Sequence, residues 1–179
     1  MIKKMMMIVA MMAAVTGLSA QEKGDFAVGL RGGASVTRIE IQDWKVDDTS
    51  ARFGIGVFGQ YNFANHWRVD LEGIYHPEND HTSDFMVGLN VHYLINLTKD
   101  HNFKLYPLLG YGLDFIHSET FTEGGTTVRG SNSTDGGIQL GLGLQANLGD
   151  NWFVAAEYKF QPGIFGDCHV PMASIGYRF

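Results

Sequence analysis

Apolar residues recur at every second position in eight separate runs of this chain: 26–36, 53–63, 67–75, 85–97, 103–115, 138–148, 152–160 and 171–179. In the second run Phe53, Ile55, Val57, Gly59, Tyr61 and Phe63 share one parity, and in the third Trp67, Val69, Leu71, Gly73 and Tyr75 do. A period of two belongs to a β-strand, whose successive side chains point to opposite faces. The other parity carries Arg31, Gln60, Arg68, Asp70, Glu72, Asn90, His92, Lys104, Gln139, Gln145, Glu157, Lys159 and Arg178. Each run therefore predicts a strand with one apolar and one polar face. A soluble β-sandwich would alternate in the same way, with the apolar face turned inward. Length separates the two: these runs reach about 10 residues, as a tilted membrane strand requires, whereas soluble strands average about 5–6.

The connections alternate as well. Those at 64–66, 98–101 and 149–151 are short, and those at 39–51, 77–83, 118–134 and 162–168 are longer and polar. Short turns on one side and long loops on the other are the outer-membrane arrangement, with the short side periplasmic. The expectation is an all-β fold, an eight-stranded antiparallel up-and-down transmembrane β-barrel with both mature termini in the periplasm. Aromatic residues fall at both ends of the runs. Phe26, Tyr61, Phe63, Trp67, Tyr93, Phe103, Trp152, Tyr177 and Phe179 lie near the short turns, and Tyr75, Phe85, Phe115, Tyr158 and Phe160 toward the long loops. Two aromatic girdles around an aliphatic band fit the two interfaces of a bilayer.

Composition adds a compartment. Lys3 and Lys4 precede the apolar stretch 5–15, and small residues at 17–20 form a cleavage-type sequence before Gln21. This predicts a signal peptide at 1–20, cleaved before Gln21, and a barrel domain at 21–179. The apolar stretch is too short for a spanning helix, which needs about 20 residues. Removing 1–20 takes away two of 13 basic residues and none of 19 acids, so the net charge moves from −6 to −8. An acidic chain without a basic stripe argues against nucleic acid as a partner. Cys168 is the single cysteine, which excludes an internal disulfide and reads as an unpaired thiol in a loop.

The last run ends in Ile175, Tyr177 and Phe179, a terminal aromatic with apolar residues at alternate positions behind it. It looks like the C-terminal assembly signal of outer-membrane barrels. Over about 155 residues the mature chain resembles the OmpA/OmpX-like small barrel families, including porin-like outer-membrane β-barrel domains. The resemblance implies outer-membrane lipid and lipopolysaccharide as surroundings, and the barrel-insertion machinery as a partner of the C-terminal strand. It brings no catalytic fingerprint.

Eight strands enclose an interior just wide enough for side chains to fill it. Glycines at inward parity, such as Gly29, Gly143 and Gly176, leave space for Phe58, Tyr106 and Phe153. Counted from the short-turn end, the inward charges fall in layers. Arg68, Lys104 and Arg178 form a basic group nearest the periplasm, and Arg31, Glu72 and Glu157 form a cluster above it, with Asp70 and Lys159 at its edges. Charges at that depth must be paired and hydrogen-bonded, which reads as an ion-pair plug or as a selectivity cluster.

Other chemistry is weaker. His76, Glu78, Asp80, His81 and Asp84 are metal-capable but lack a recognised spacing, so no metal and no cofactor is expected. The glycine-rich stretch 124–136 lacks the Lys-Ser/Thr and helix of a phosphate loop. Some small outer-membrane barrels modify lipid A with a His and a Ser two apart on a strand, whereas here His117 and Ser118 are adjacent and point to opposite faces. The expected role is a non-enzymatic barrel with a structural or surface-interaction function and a largely plugged lumen. An extracellular ligand would be met through loops 39–51 and 118–134. The alternatives are a narrow porin-like channel for very small solutes and a lipid-A-modifying enzyme.

Overall fold

The two faces of each strand demand different solvents, and closing the sheet supplies both. In the computed structural model, residues 23–41, 46–79, 81–123, 126–162 and 167–179 are described. The expected signal peptide at 1–20 lies outside them. The elements are β1 Phe26–Ile41, β2 Val46–Ala64, β3 Trp67–Asn79, β4 Thr82–Tyr93, β5 Ile95–Asn96, β6 Phe103–Ser118, β7 Phe121–Glu123, β8 Thr126–Val128, β9 Ser131–Leu148, β10 Trp152–Pro162 and β11 Asp167–Arg178. No helix occurs among the described residues.

Neighbouring strands pair antiparallel around the ring β1-β2-β3-β4-β6-β9-β10-β11, with β5 continuing the line of β4 along β6. The ring closes where Val28 faces Tyr177 and Leu30 faces Ile175 on β1 and β11. The barrel thus has eight antiparallel strands. Closure matters because an unpaired strand edge in lipid would leave its N–H and C=O groups without partners.

Burial is inverted relative to a soluble sandwich. Leu30, Val57, Leu71, Leu109 and Leu142 are 56–59% exposed, whereas Arg31, Asp70, Glu72 and Lys159 are at most 2% exposed. An outer surface of this kind is stable only against lipid. Aromatic rings bound the band. At the short-turn end Phe26 stacks on Phe179 at 6.1 Å, Trp67 meets Tyr93 edge-on at 5.0 Å and Trp152 meets Tyr177 at 5.2 Å. At the other end Tyr75, Phe85 and Phe115 lie in register across β3, β4 and β6. From Trp67 to Tyr75 the chain climbs about 26 Å along the strand, about 20 Å in height at a tilt of about 40°. The rings at either margin extend this toward the apolar band of about 25 Å.

The strands outrun the apolar pattern. Ladder pairing continues to Ile41↔Val46 in the first hairpin, Asn79↔Thr82 in the second, Ser118↔Ser131 in the third and Pro162↔Asp167 in the fourth. Much of the expected loops 39–51 and 118–134 is therefore strand, and β7 and β8 add a small hairpin above β6 and β9. The reason is that alternation reports lipid contact, while backbone hydrogen bonds hold a ladder wherever it runs. Cys168 is corrected by the same finding: it lies on β11 opposite Thr37, not in a loop. At the short-turn end β4 and β5 are interrupted at Leu94, which is 1% exposed beside the buried Tyr93. The Leu94 carbonyl oxygen instead meets His66 Nδ1 at 2.9 Å. In the turn 98–101 the Thr98 hydroxyl and the Asn102 amides hold the Asp100 carboxyl below its ordinary range.

Candidate functional site in the barrel interior

Inward parity from all eight strands brings polar side chains onto the barrel axis. Nearest the short turns, Arg68 on β3 faces His92 on β4 in register. His92 Nδ1 lies 2.9 Å from Arg68 Nη2 and accepts from Nε at 3.2 Å, so this nitrogen carries no proton. Arg68 Nη1 donates to Gln145 Oε1 at 2.7 Å, and its guanidinium lies 4.8 Å from the Tyr106 ring centre. His92 stacks on Tyr106 of the neighbouring strand β6 at 4.9 Å and 15°. Tyr106 fits because residue 143 across the ladder is glycine, and any Cβ there would overlap the phenol ring.

One step up, Arg31 on β1 reaches across to β3. Its Nη2 donates to Asp70 Oδ2 at 2.8 Å and its Nη1 to Asp70 Oδ1 at 3.3 Å, and Nη1 also bonds Glu72 Oε2. Glu72 is held from the other side by Lys159 on β10 and by Asn90 Nδ2 at 3.1 Å. Glu157 Oε1 stands 3.6 Å from Arg31 Nη2, and Gln60 Nε2 donates to Asp70 at 2.9 Å. The Arg31 guanidinium also lies 4.3 Å from the Phe58 ring centre. Every member of this group is at most 5% exposed. At that burial each charge depends on its partners, and removing one strands the others.

The structure thus brings together Arg31, Asp70, Glu72, Glu157 and Lys159, but not with the centre that counting along the strands suggested. Asp70 and Lys159, expected at the edges, make the close contacts, and Glu157 is the more distant acid. Strand tilt and stagger in a closed barrel shift heights between strands. Arg68 does not balance the cluster directly, since its hydrogen bonds end on neutral atoms. Lys104 is 3% exposed, and Arg178 Nε lies 3.9 Å from Asp25 Oδ2. Ile175, Tyr177 and Phe179 lie on the outer wall beside β10 and β1.

Above the charges lies an apolar layer of Ile74, Met86, Val170 and Met172, with Cys168 packed against it. A second polar group sits over that layer. Arg52 pairs with Asp84, and His76 Nδ1 lies 2.6 Å from Asp84 Oδ2. Arg52 and Asn90 were not singled out from sequence as members of interior pairs, although both stand at inward parity. Of the metal-capable residues, His76 and Asp84 meet closely and His81 and Glu78 stand 4.0 Å apart, while Asp80 lies outside the described residues. No group of three ligands forms among the described residues. His117 bonds Asn132 at 2.6 Å, while the Ser118 hydroxyl lies 3.3 Å from that of Thr82, so the two do not form a pair.

Comparison with known proteins agrees with this architecture. A family model described as the outer membrane protein β-barrel domain matches residues 6–179. Among solved structures, Neisserial surface protein A is 16% identical with a TM-score of 0.60, covering 88% of this chain and 100% of that one. The N-terminal β-barrel domain of Pseudomonas aeruginosa OprF is 16% identical with a TM-score of 0.59 and the same coverage. Ail, the attachment invasion locus protein of Yersinia pestis, is 20% identical with a TM-score of 0.54, again over 88% and 100%. At these identities the likeness is one of fold. The sequence matches no curated protein sequence.

Proposed function

This chain belongs to the outer membrane protein β-barrel domain family of the bacterial outer membrane, and from that premise we propose that it is a non-enzymatic barrel with a closed lumen and a structural or surface-interaction role. The observation that carries the reading is the buried cluster of Arg31, Asp70, Glu72 and Lys159, which bridges β1, β3 and β10 across the barrel axis. Together with the apolar layer of Ile74, Met86, Val170 and Met172 above it, it supports a lumen plugged by side chains. A rigid wall with paired hairpins at one end suits the display of loops to the outside, because loops on a rigid scaffold carry recognition. In this reading the mature termini and the short turns face the periplasm, and the signal peptide is removed before Gln21. Lipid and lipopolysaccharide surround the wall, and the insertion machinery recognises Ile175, Tyr177 and Phe179.

Solute uptake tests the closed lumen. Proteoliposomes carrying the refolded protein should swell in small sugars or amino acids no faster than empty vesicles. Swelling that scales with protein content would make the barrel a narrow channel instead.

A further inference from the structure

We propose that the outer wall formed by β10, β11 and β1–β4 carries a groove that holds one acyl chain of a phospholipid from the periplasmic leaflet. The motive is an asymmetry of the wall. On β6 and β9 every outward position in the apolar band carries a side chain, with Leu105, Leu109 and Leu113 on one strand and Leu140, Leu142 and Leu144 on the other. On β1, β2 and β3 the outward positions include Gly32, Gly59 and Gly73. Gly59 is the most open of these, since a Cβ there would meet Phe26 at 4.0 Å and nothing nearer.

Gly59 and Gly73 lie in a groove of about 810 Å³ on this side of the barrel. It follows two neighbouring rows of the ladder. Tyr177, Val28, Gly59 and Leu71 face one another in the first, with Trp152 at its end, and Ile175, Leu30, Val57, Gly73 and Val87 form the second. Strand tilt turns these rows into a ramp. At the low end Trp152 and Tyr177 meet edge-on at 5.2 Å in the short-turn girdle. At the high end Val87 stands six residues along β4 from Tyr93 of the same girdle, about 20 Å along the strand and about 15 Å in height at a tilt of about 40°.

The groove therefore opens at an aromatic interface and climbs into the hydrocarbon, continuous with the lipid contact of the whole wall. Its outward side chains are aliphatic or aromatic, so the ligand it suits is a hydrocarbon chain and not a headgroup. The course fits a chain whose carboxyl end lies beside Trp152 and whose methyl end reaches Val87. An apolar wall among apolar chains has no hydrophobic driving force, so packing selects the occupant. A chain seated over Gly59 and Gly73 touches the wall along its floor and its flanks, whereas a chain on the leucine-rich face touches only the tips of side chains. The site deepens the reading of the wall as lipid-covered, and the name of the leaflet rests on the short turns facing the periplasm.

Photolabelling tests it. The refolded protein is placed in vesicles of phosphatidylethanolamine and phosphatidylglycerol that contain a phosphatidylethanolamine with a diazirine on one acyl chain. Labelled peptides are quantified by mass spectrometry and normalised to the unfolded chain. Labelling of β1–β3 should exceed that of β6 and β9 several-fold, a comparison of two walls that needs no variant. A diazirine near the carboxyl end of the chain should mark Trp152 and Tyr177, and one near the methyl end Gly73 and Val87. Gly59→Leu fills the groove and should bring β1–β3 down to the level of β6 and β9, with heat-modifiable gel mobility showing that the variant folds. Even labelling of the two walls would overturn the proposal. So would labelling that spares β1–β3, as a second copy seated there would give, a reversed order of the two diazirines, or a preference that survives in folded Gly59→Leu. Protease cleavage in whole cells decides the orientation separately: short turns cut from outside overturn the leaflet assignment, whereas photolabelling alone decides the groove.

Discussion

Glu72 shows how a single residue can be indispensable without adding net stability. It receives Arg31, Lys159 and Asn90 at once, so Glu72→Ala leaves Lys159 buried without its carboxylate and leaves Arg31 and Asn90 with Asp70 alone to share. The expected loss is about 3–5 kcal/mol, read as a lower urea midpoint for the refolded protein. Glu78→Ala, in the exposed part of the second hairpin with His81 at 4.0 Å, should stay within about 0.5 kcal/mol. Equal effects would refute the buried cluster. Glycine supplies a second contrast. A Cβ at Gly29 would overlap the Phe58 ring and the Ile175 carbonyl, whereas one at Gly59 would meet only Phe26 at 4.0 Å. Gly29→Ala should therefore destabilise the barrel by about 1–3 kcal/mol or block its refolding, through overpacking, and Gly59→Ala should refold normally. Parity alone separates Gly29 from Gly59 in the sequence, and the structure adds which ring and carbonyl fill the space.

At the scale of elements, the sequence announces a strand only where lipid acts on it. The alternation in 53–63 is unmistakable because each second residue of β2 meets hydrocarbon. Residues 46–50 continue the same strand with no apolar period, since the ladder there needs only backbone partners. The cluster was legible to the same degree. Parity placed Arg31, Asp70, Glu72, Glu157 and Lys159 inside, but the shear of a closed barrel decides which acid meets which cation. Topology can be read with trypsin. Arg129, exposed between β8 and β9, should be cut in intact cells. Lys99, exposed in the turn before β6, should be cut only after the outer membrane is permeabilised. The reverse order would invert the orientation. Deleting Phe179, which stacks on Phe26 outside the ladder proper, should lower the amount of inserted protein in cells, and unchanged membrane levels would make the terminal aromatic incidental to assembly.

On the scale of the whole molecule, one closed ring of hydrogen bonds reconciles an apolar outside with a charged inside. Closure removes the sheet edges, so the folded barrel should resist detergent and migrate faster on gels unheated than boiled. The same closure confines the lumen, and in the proposed reading the two polar groups separated by Ile74, Met86, Val170 and Met172 plug it. Single-channel conductance of the refolded protein in a planar bilayer tests this most directly. The account predicts a baseline with no steady conductance in molar salt, and a stable ohmic pore in every insertion would contradict it.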